Sequence, residues 1–226
     1  MLRGIIFDLD GVLIDSHPAH MRAWKLFLSS LGREVSDEEL EVVFEGQKRE
    51  DILRHFLGEL TEHQVRIYGA QKEALFRNSV PEIKITAGLP EFLQQTATAG
   101  LAMALASSGS RARVEYLVKE LGFRDYFQAI VTGDDVTTGK PDPAIFNLTS
   151  KRMGVNSREI LVCEDAVNGV QAAKLAGMKC LAIAANGRGP ILERAGADKI
   201  VSDFSAVTLE ELKELFGLSQ ESVEIW

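Results

Sequence analysis

Short, fully apolar runs alternate with stretches of helical periodicity along most of the chain. Ile5 to Phe7, Leu101 to Ala106, Ala129 to Val131 and Ile160 to Cys163 are apolar throughout. They lack the alternation of a half-exposed strand, which predicts parallel strands buried on both faces. Lys179 to Ala184 and Lys199 to Val201 read as two more strands. After Ser110, read as a helix cap, Val114, Leu117, Val118 and Leu121 recur at helical spacing up to a stop at Gly122. Asp142-Pro143 opens another helix, with proline in its first turn. A helix through Val170 and Leu175 ends at Gly177, and a last one runs from about Thr208 to Phe216. Strands alternating with helices predict an α/β fold, a doubly wound parallel sheet covered on both sides.

One block breaks this rhythm. Ser16 stands where it can cap a helix near Pro18, with Trp24, Phe27, Leu28 and Leu31 on one face and Gly32 as the stop. Ser36 to Glu39 form a capping-box pattern for a short helix toward Phe44, and Gly46 breaks it. Ile52, Leu53, Phe56 and Leu57 make the next apolar stripe. Thr61 to Gln64 is a second capping-box pattern, opening a long helix toward Asn78. A helical insertion of that size cannot fit inside a sheet layer. It predicts an all-helical cap over residues 16–82, inserted into an α/β core of residues 1–15 and 83–226. The polar tail from Gly217 is expected to be weakly ordered, or to pack by Val223, Ile225 and Trp226. There is no internal repeat and no low-complexity segment.

Composition narrows the partners. The 226 residues are 46% hydrophobic and 26% charged, ordinary for a globular chain. The net charge of −8, with Lys and Arg scattered among carboxylates, argues against nucleic acid as a partner. Cys163 and Cys180 lie in apolar runs and read as buried reduced thiols, as a reducing cytoplasm would keep them. Met1 to Gly4 lead straight into the first strand, not into a signal peptide, and no apolar run nears the ~20 residues of a membrane span. The expectation is a cytoplasmic protein with no membrane contact, monomeric, with a dimer as the alternative.

Candidate chemistry lies where the strands end, since open parallel sheets bind ligands beyond the carboxyl ends of their strands. The first strand ends in Asp8 and Asp10, two apart and so facing one spot if extended, followed by Gly11. Paired buried carboxylates repel, and Mg²⁺, which prefers oxygen ligands, is the natural remedy. The next strand gives Ser107, Ser108 and Gly109, the loop after the third gives Lys140, and the fourth gives Glu164 and Asp165. Taken singly, Ser107 is a turn residue, Lys140 a solvated loop lysine, and Glu164-Asp165 a helix-leading acidic pair. Asp134 and Asp135 read as plain surface acids. Acids, a hydroxyl and a lysine converging on one sheet edge are what a magnesium phosphate site needs.

Asp8-Leu9-Asp10-Gly11-Val12, Ser107, Gly139-Lys140-Pro141-Asp142-Pro143 and Glu164-Asp165 together resemble the haloacid dehalogenase superfamily, in its helical-cap branch. The resemblance extends over nearly the whole chain and implies a Rossmann-like core. It implies a Mg²⁺-dependent phosphatase acting on a small phosphorylated metabolite, with a sugar phosphate as the favoured substrate. Asp8 would be the nucleophile that forms an aspartyl-phosphate, and Asp10 the general acid and then base. Asp8, the Asp10 carbonyl and Asp165 would hold the metal, with Glu164 orienting metal waters. Ser107, Ser108, Gly109 and Lys140 would hold the phosphate. An acid at Asp10 sets the chain apart from the metal-free dehalogenases, and no cap lysine stands out as the Schiff-base lysine of the phosphonate-cleaving branch. A phosphate-receiver domain has a similar acid set but is about half as long and lacks a cap.

The cap resembles that of the phosphosugar mutases in the same family. That alignment brings His20, Gly46, Arg49 and Lys72 toward the substrate. Two departures favour hydrolysis over the mutase alternative. Glu45 stands where the mutase has lysine, and Ser107 to Arg111 lack its Lys-Asn pair. The remote alternative, a non-catalytic binding protein with a vestigial site, would show by loss of Asp8 or Asp165, and neither is lost.

Overall fold

The computed structural model describes residues 1–217, so the expectations for the tail from 218 onward lie outside the described residues. Strands β1 (Gly4–Phe7), β4 (Ala102–Ser107), β5 (Ala129–Thr132), β6 (Ile160–Glu164), β7 (Lys179–Ile183) and β8 (Lys199–Val201) form one parallel sheet in the order β5-β4-β1-β6-β7-β8. The first strand is therefore central, with Phe7 level with Leu105 on one side and Cys163 on the other. The apolar runs have the expected physical cause. Ile5 and Phe7 join one buried cluster and Ile6 joins another, so successive side chains feed opposite faces.

Helices α4 (Leu89–Thr98), α5 (Arg111–Glu120), α6 (Ala144–Met153), α7 (Val167–Leu175), α8 (Gly189–Arg194) and α9 (Leu209–Gly217) belong to the core. Phe7 meets Phe92 of α4 and Phe204 at ring-centroid distances of 6.2 and 6.1 Å, filling one face. On the other face α6 and α7 place Phe146, Val170 and Ala173 over Ile6 and Val162. Cys163 and Cys180 are buried free thiols, as expected. No described helix is long and apolar enough to cross a membrane.

The insertion is helical, as predicted. It contains α1 (His17–Ser30), a 3-10 turn (Glu39–Phe44), α2 (Arg49–Leu57) and α3 (Glu62–Arg77). It leaves and rejoins the core through a short antiparallel pair, β2 (Ile14–Asp15) with β3 (Lys84–Ile85), which the sequence pattern did not reveal. Trp24, Phe27, Leu28, Leu40, Ile52, Leu53, Phe56 and Val65 form its own core. Phe27 is fully buried against Trp24 and Tyr68. Phe27→Ala is expected to cost about 3–5 kcal/mol of unfolding free energy. Urea denaturation would measure it, and a loss under about 1 kcal/mol would show that the helices do not depend on this cluster.

Several capping expectations need correction. Thr61 and Gln64 do form a reciprocal capping box. The box between Ser36 and Glu39 also forms and leads into the expected short helix ending at Phe44, which is of the 3-10 kind. Ser16 and Ser110 stand at N-cap positions without capping through their side chains. The Ser16 hydroxyl is engaged elsewhere, donating to Asp10 Oδ1 at 2.6 Å. Pro143 is the N-cap of α6, not its first-turn residue, and Asp142 accepts from the Ala144 N–H at 2.8 Å.

Candidate active site

The carboxyl ends of β1, β4 and β6 open into a cleft roofed by the cap. Its empty space amounts to about 710 Å³, part of it open to solvent. All the residues singled out from the sequence line it: Asp8, Asp10, His20, Gly46, Arg49, Lys72, Ser107, Ser108, Gly109, Lys140, Glu164 and Asp165.

The most buried part is a carboxylate–lysine–carboxylate triad. Lys140 Nζ donates to Asp8 Oδ1 at 2.7 Å and to Glu164 Oε1 at 2.5 Å. Lys140 and Glu164 side chains are each 1% exposed. Burial raises the Asp8 carboxyl to about 7 even though Lys140 draws it down, and Glu164 and Asp10 push it further up. Glu164 Oε2 accepts from the N–H groups of Asp165 and Ala166, so both its oxygens are committed within the protein. It shapes the turn that presents Asp165. Ser107 is buried beside them, its Oγ accepting from the Gly109 N–H at 3.1 Å.

Asp10 has different partners from Asp8. Arg113 forks onto it, with Nη1 to Oδ1 at 2.8 Å and Nη2 to Oδ2 at 2.6 Å. Burial alone would raise the Asp10 carboxyl, but Arg113 and then His20 hold it well below the usual carboxylate range. His20 Nε2 lies 3.2 Å from Asp10 Oδ1, and Lys72 Nζ lies 2.7 Å from His20 Nδ1. Burial, then Lys72, pushes the imidazole down to about 3, so it is neutral. Lys72 then donates to Nδ1 and Nε2–H donates to Asp10, a tautomer assigned from the network. Burial, then Arg113, also lowers Lys72 to about 7.

Asp165 accepts from His17 Nε2 at 3.0 Å. Burial would lower His17, but its hydrogen bond to Asp165 outweighs that and raises it. Gly11 makes this approach possible: a Cβ there would stand 2.0 Å from Asp165 Oδ2, and its φ is +75°. Among the described residues no three His, Cys, Asp or Glu side chains are grouped to hold a metal ion. The expected set, however, uses two carboxylates, Asp8 and Asp165, with a backbone carbonyl. All its donors are oxygen, and burial raises both carboxyl groups. A divalent cation would offset that cost, so these residues fit Mg²⁺.

The cap is docked onto the core. Ser108 Oγ donates to the Gly46 carbonyl at 2.8 Å, and Lys48 Nζ to the Val136 carbonyl at 3.0 Å. Glu45 pairs with Arg188 at 3.5 Å. The Arg49 guanidinium lies over α3 at Gly69, where a Cβ would be 2.6 Å from Nε.

Arg113, His17 and Glu73 also line the cleft and were not anticipated. Arg113 had a legible signal. Two arginines fall in the first turn of α5 with no acid beside them, against the preference of a helix N-terminus for negative charge. Gly109 is its companion, since a Cβ there would stand 2.2 Å from Arg113 Nη2. His17 and Glu73 carry no such signal, because neither spacing nor periodicity distinguishes them from surface residues.

Comparison with known proteins shows the fold and the family. The chain is 30% identical over 190 residues to the phosphorylated carbohydrates phosphatase of Thermotoga maritima, covering 79% of this chain and 83% of that one. It is 29% identical over 231 residues to the phosphoglycolate phosphatase of Yersinia pestis, covering 94% and 96%. The fold matches beta-phosphoglucomutase from Clostridium difficile with a TM-score of 0.85 at 24% identity, covering 96% and 98%. Residues 5–183, which run from β1 through β7 and carry every strand end that feeds the cleft, match the haloacid dehalogenase-like hydrolase family, and the chain is an enzyme belonging to that family.

Proposed function

We propose that this enzyme is a Mg²⁺-dependent phosphatase that hydrolyses a small phosphorylated metabolite, a sugar phosphate or a close relative, through an aspartyl-phosphate on Asp8. The observation that carries this reading is the buried Asp8, bonded to Lys140 at the end of the central strand and opening into the capped cleft. An Asp8 oxygen attacks phosphorus in line, and the bond from phosphorus to the ester oxygen breaks. Asp10, in its protonated form, gives its proton to that leaving oxygen. The resulting Asp10 carboxylate then takes a proton from water, whose oxygen attacks phosphorus and breaks the bond to Asp8. Free phosphate leaves and both aspartates are restored.

The fork from Arg113 favours the Asp10 carboxylate, the form needed for the water step, so for the first step Asp10 must take up its proton against that fork. Ser107, Ser108 and the Gly109 N–H would hold phosphate oxygens, and Lys140 would offset charge on phosphate and Asp8. Asp8, the Asp10 carbonyl and Asp165 would hold Mg²⁺. When bound, the metal supplies positive charge to the phosphoryl oxygens. Glu164 keeps the Asp165 turn in place, and residues 16–82 act as the cap that excludes water. The buried free thiols suit a reducing cytoplasm.

The test is turnover of small phosphate esters, glucose 1-phosphate with a trace of bisphosphate among them, following free phosphate and isomer separately. Phosphate release that requires Mg²⁺ and stops in chelator is expected. Full activity in chelator would overturn the metal assignment. Rapid isomerisation with negligible phosphate release would make the chain a phosphosugar mutase instead.

A further inference from the structure

The cap side of the cleft has two atoms whose hydrogen-bonding capacity the protein leaves unused. Among the described residues, the buried side-chain nitrogen and oxygen atoms without a hydrogen-bond partner are Arg49 Nε and Glu73 Oε1. Both residues line the cleft. They are also neighbours. The Arg49 guanidinium rests over Gly69, and Glu73 follows Gly69 by one helical turn on the same face of α3. A buried donor and a buried acceptor thus lie about one turn apart without satisfying each other. Leaving either desolvated and unpaired is costly, which marks them as groups that a ligand completes.

The other charges nearby are committed. Arg113 is forked onto Asp10, with its Nε 4.0 Å from the second Glu73 oxygen. Lys72 is bonded to His20. Among the described residues, a second anionic group on the substrate would therefore find Arg49 as its free cation, with the Glu73 carboxylate beside it. A hydroxyl has no such conflict, because it both donates and accepts.

We infer that Glu73 and Arg49 together read adjacent hydroxyl groups on the leaving half of the substrate. Glu73 Oε1 accepts from one hydroxyl, and Arg49 Nε–H donates to its neighbour. This rests on the phosphatase reading above and names the substrate class. It is the monophosphate of a polyol or sugar with vicinal hydroxyls, not of a hydroxy acid and not a bisphosphate. Glu73 is the selecting residue, since a carboxylate could still satisfy Arg49 but not lie against Glu73.

The experiment compares kcat/KM for a hexitol phosphate, phosphoglycolate and propyl phosphate, in the wild type and in Glu73→Gln. Glutamine keeps the length but removes the charge and adds a donor. The wild type is expected to prefer the hexitol phosphate over phosphoglycolate by ~10²-fold. In Glu73→Gln that ratio should fall at least about tenfold, mainly through KM. Phosphoglycolate turned over as well as the hexitol phosphate by the wild type would overturn the inference. So would a Glu73→Gln enzyme slowed by one common factor on all three esters, the mark of a merely structural role. If the variant fails to fold, the wild-type preference decides alone. A wild type that releases phosphate from none of the three would instead count against the phosphatase reading itself.

Discussion

Asp8→Asn is expected to reduce phosphate release by about 10⁵–10⁶-fold, the scale of losing a covalent nucleophile. The amide has nearly the shape of the carboxylate but cannot form an acyl-phosphate. The fold should survive the change. Asp8 is a buried carboxylate that burial, Glu164 and Asp10 all disfavour in its charged form. An uncharged side chain removes that repulsion, and Lys140 retains Glu164 as its partner. Steady-state turnover and a thermal unfolding curve on the same preparation measure the two halves of the prediction. Activity within tenfold of the wild type would exclude the covalent route.

Lys140→Met is the complementary case, in which both activity and stability suffer. Its Nζ joins Asp8 and Glu164 and lies 5.2 Å from the centre of the Phe146 ring, with the lysine side chain only 1% exposed. Removing the cation leaves two buried carboxylates facing each other. Turnover should fall about 10³-fold from lost charge stabilisation, and stability by about 3–5 kcal/mol. The sign of the pH dependence follows from the direction of the shifts. Burial already raises Asp8 and Glu164 in the folded state, and without Lys140 both rise further. Carboxyls raised on folding favour the fold while protonated, and that advantage is lost as pH climbs through their folded values. Denaturation in chelator should therefore show a smaller deficit near about pH 5 than near about pH 8. An equal deficit at both would mean that Lys140 matters by packing alone.

The sheet was legible because its strands are buried on both faces, and continuous apolar runs such as Ile5 to Phe7 leave few other readings. Residues at the strand ends were legible for the same reason, since a strand fixes where its last side chains stand. The side-chain pairings between distant segments were not. Arg113 reaches Asp10 from more than a hundred positions away in the chain, and no local pattern encodes a pairing of that span. Asp135 shows the same limit. It read as a surface acid, yet it accepts from the Thr132 N–H at 2.8 Å and pairs with Arg111 and Arg152. Burial would raise it, but those donors bring its carboxyl to about 2. The pair β2–β3 escaped notice because two-residue strands are too short to show a period.

Because β1 lies between β4 and β6, its order of manufacture and its order of assembly differ. A ribosome makes the Asp8 strand before the other strands of its sheet, but that strand acquires its two hydrogen-bonding neighbours only when residues 102–107 and 160–164 have emerged. Until then its apolar run has no sheet to join, and such waiting strands are the vulnerable part of a nascent chain. The helical insertion is under no such delay, since the aromatic and aliphatic residues of its own core all fall between Trp24 and Val65.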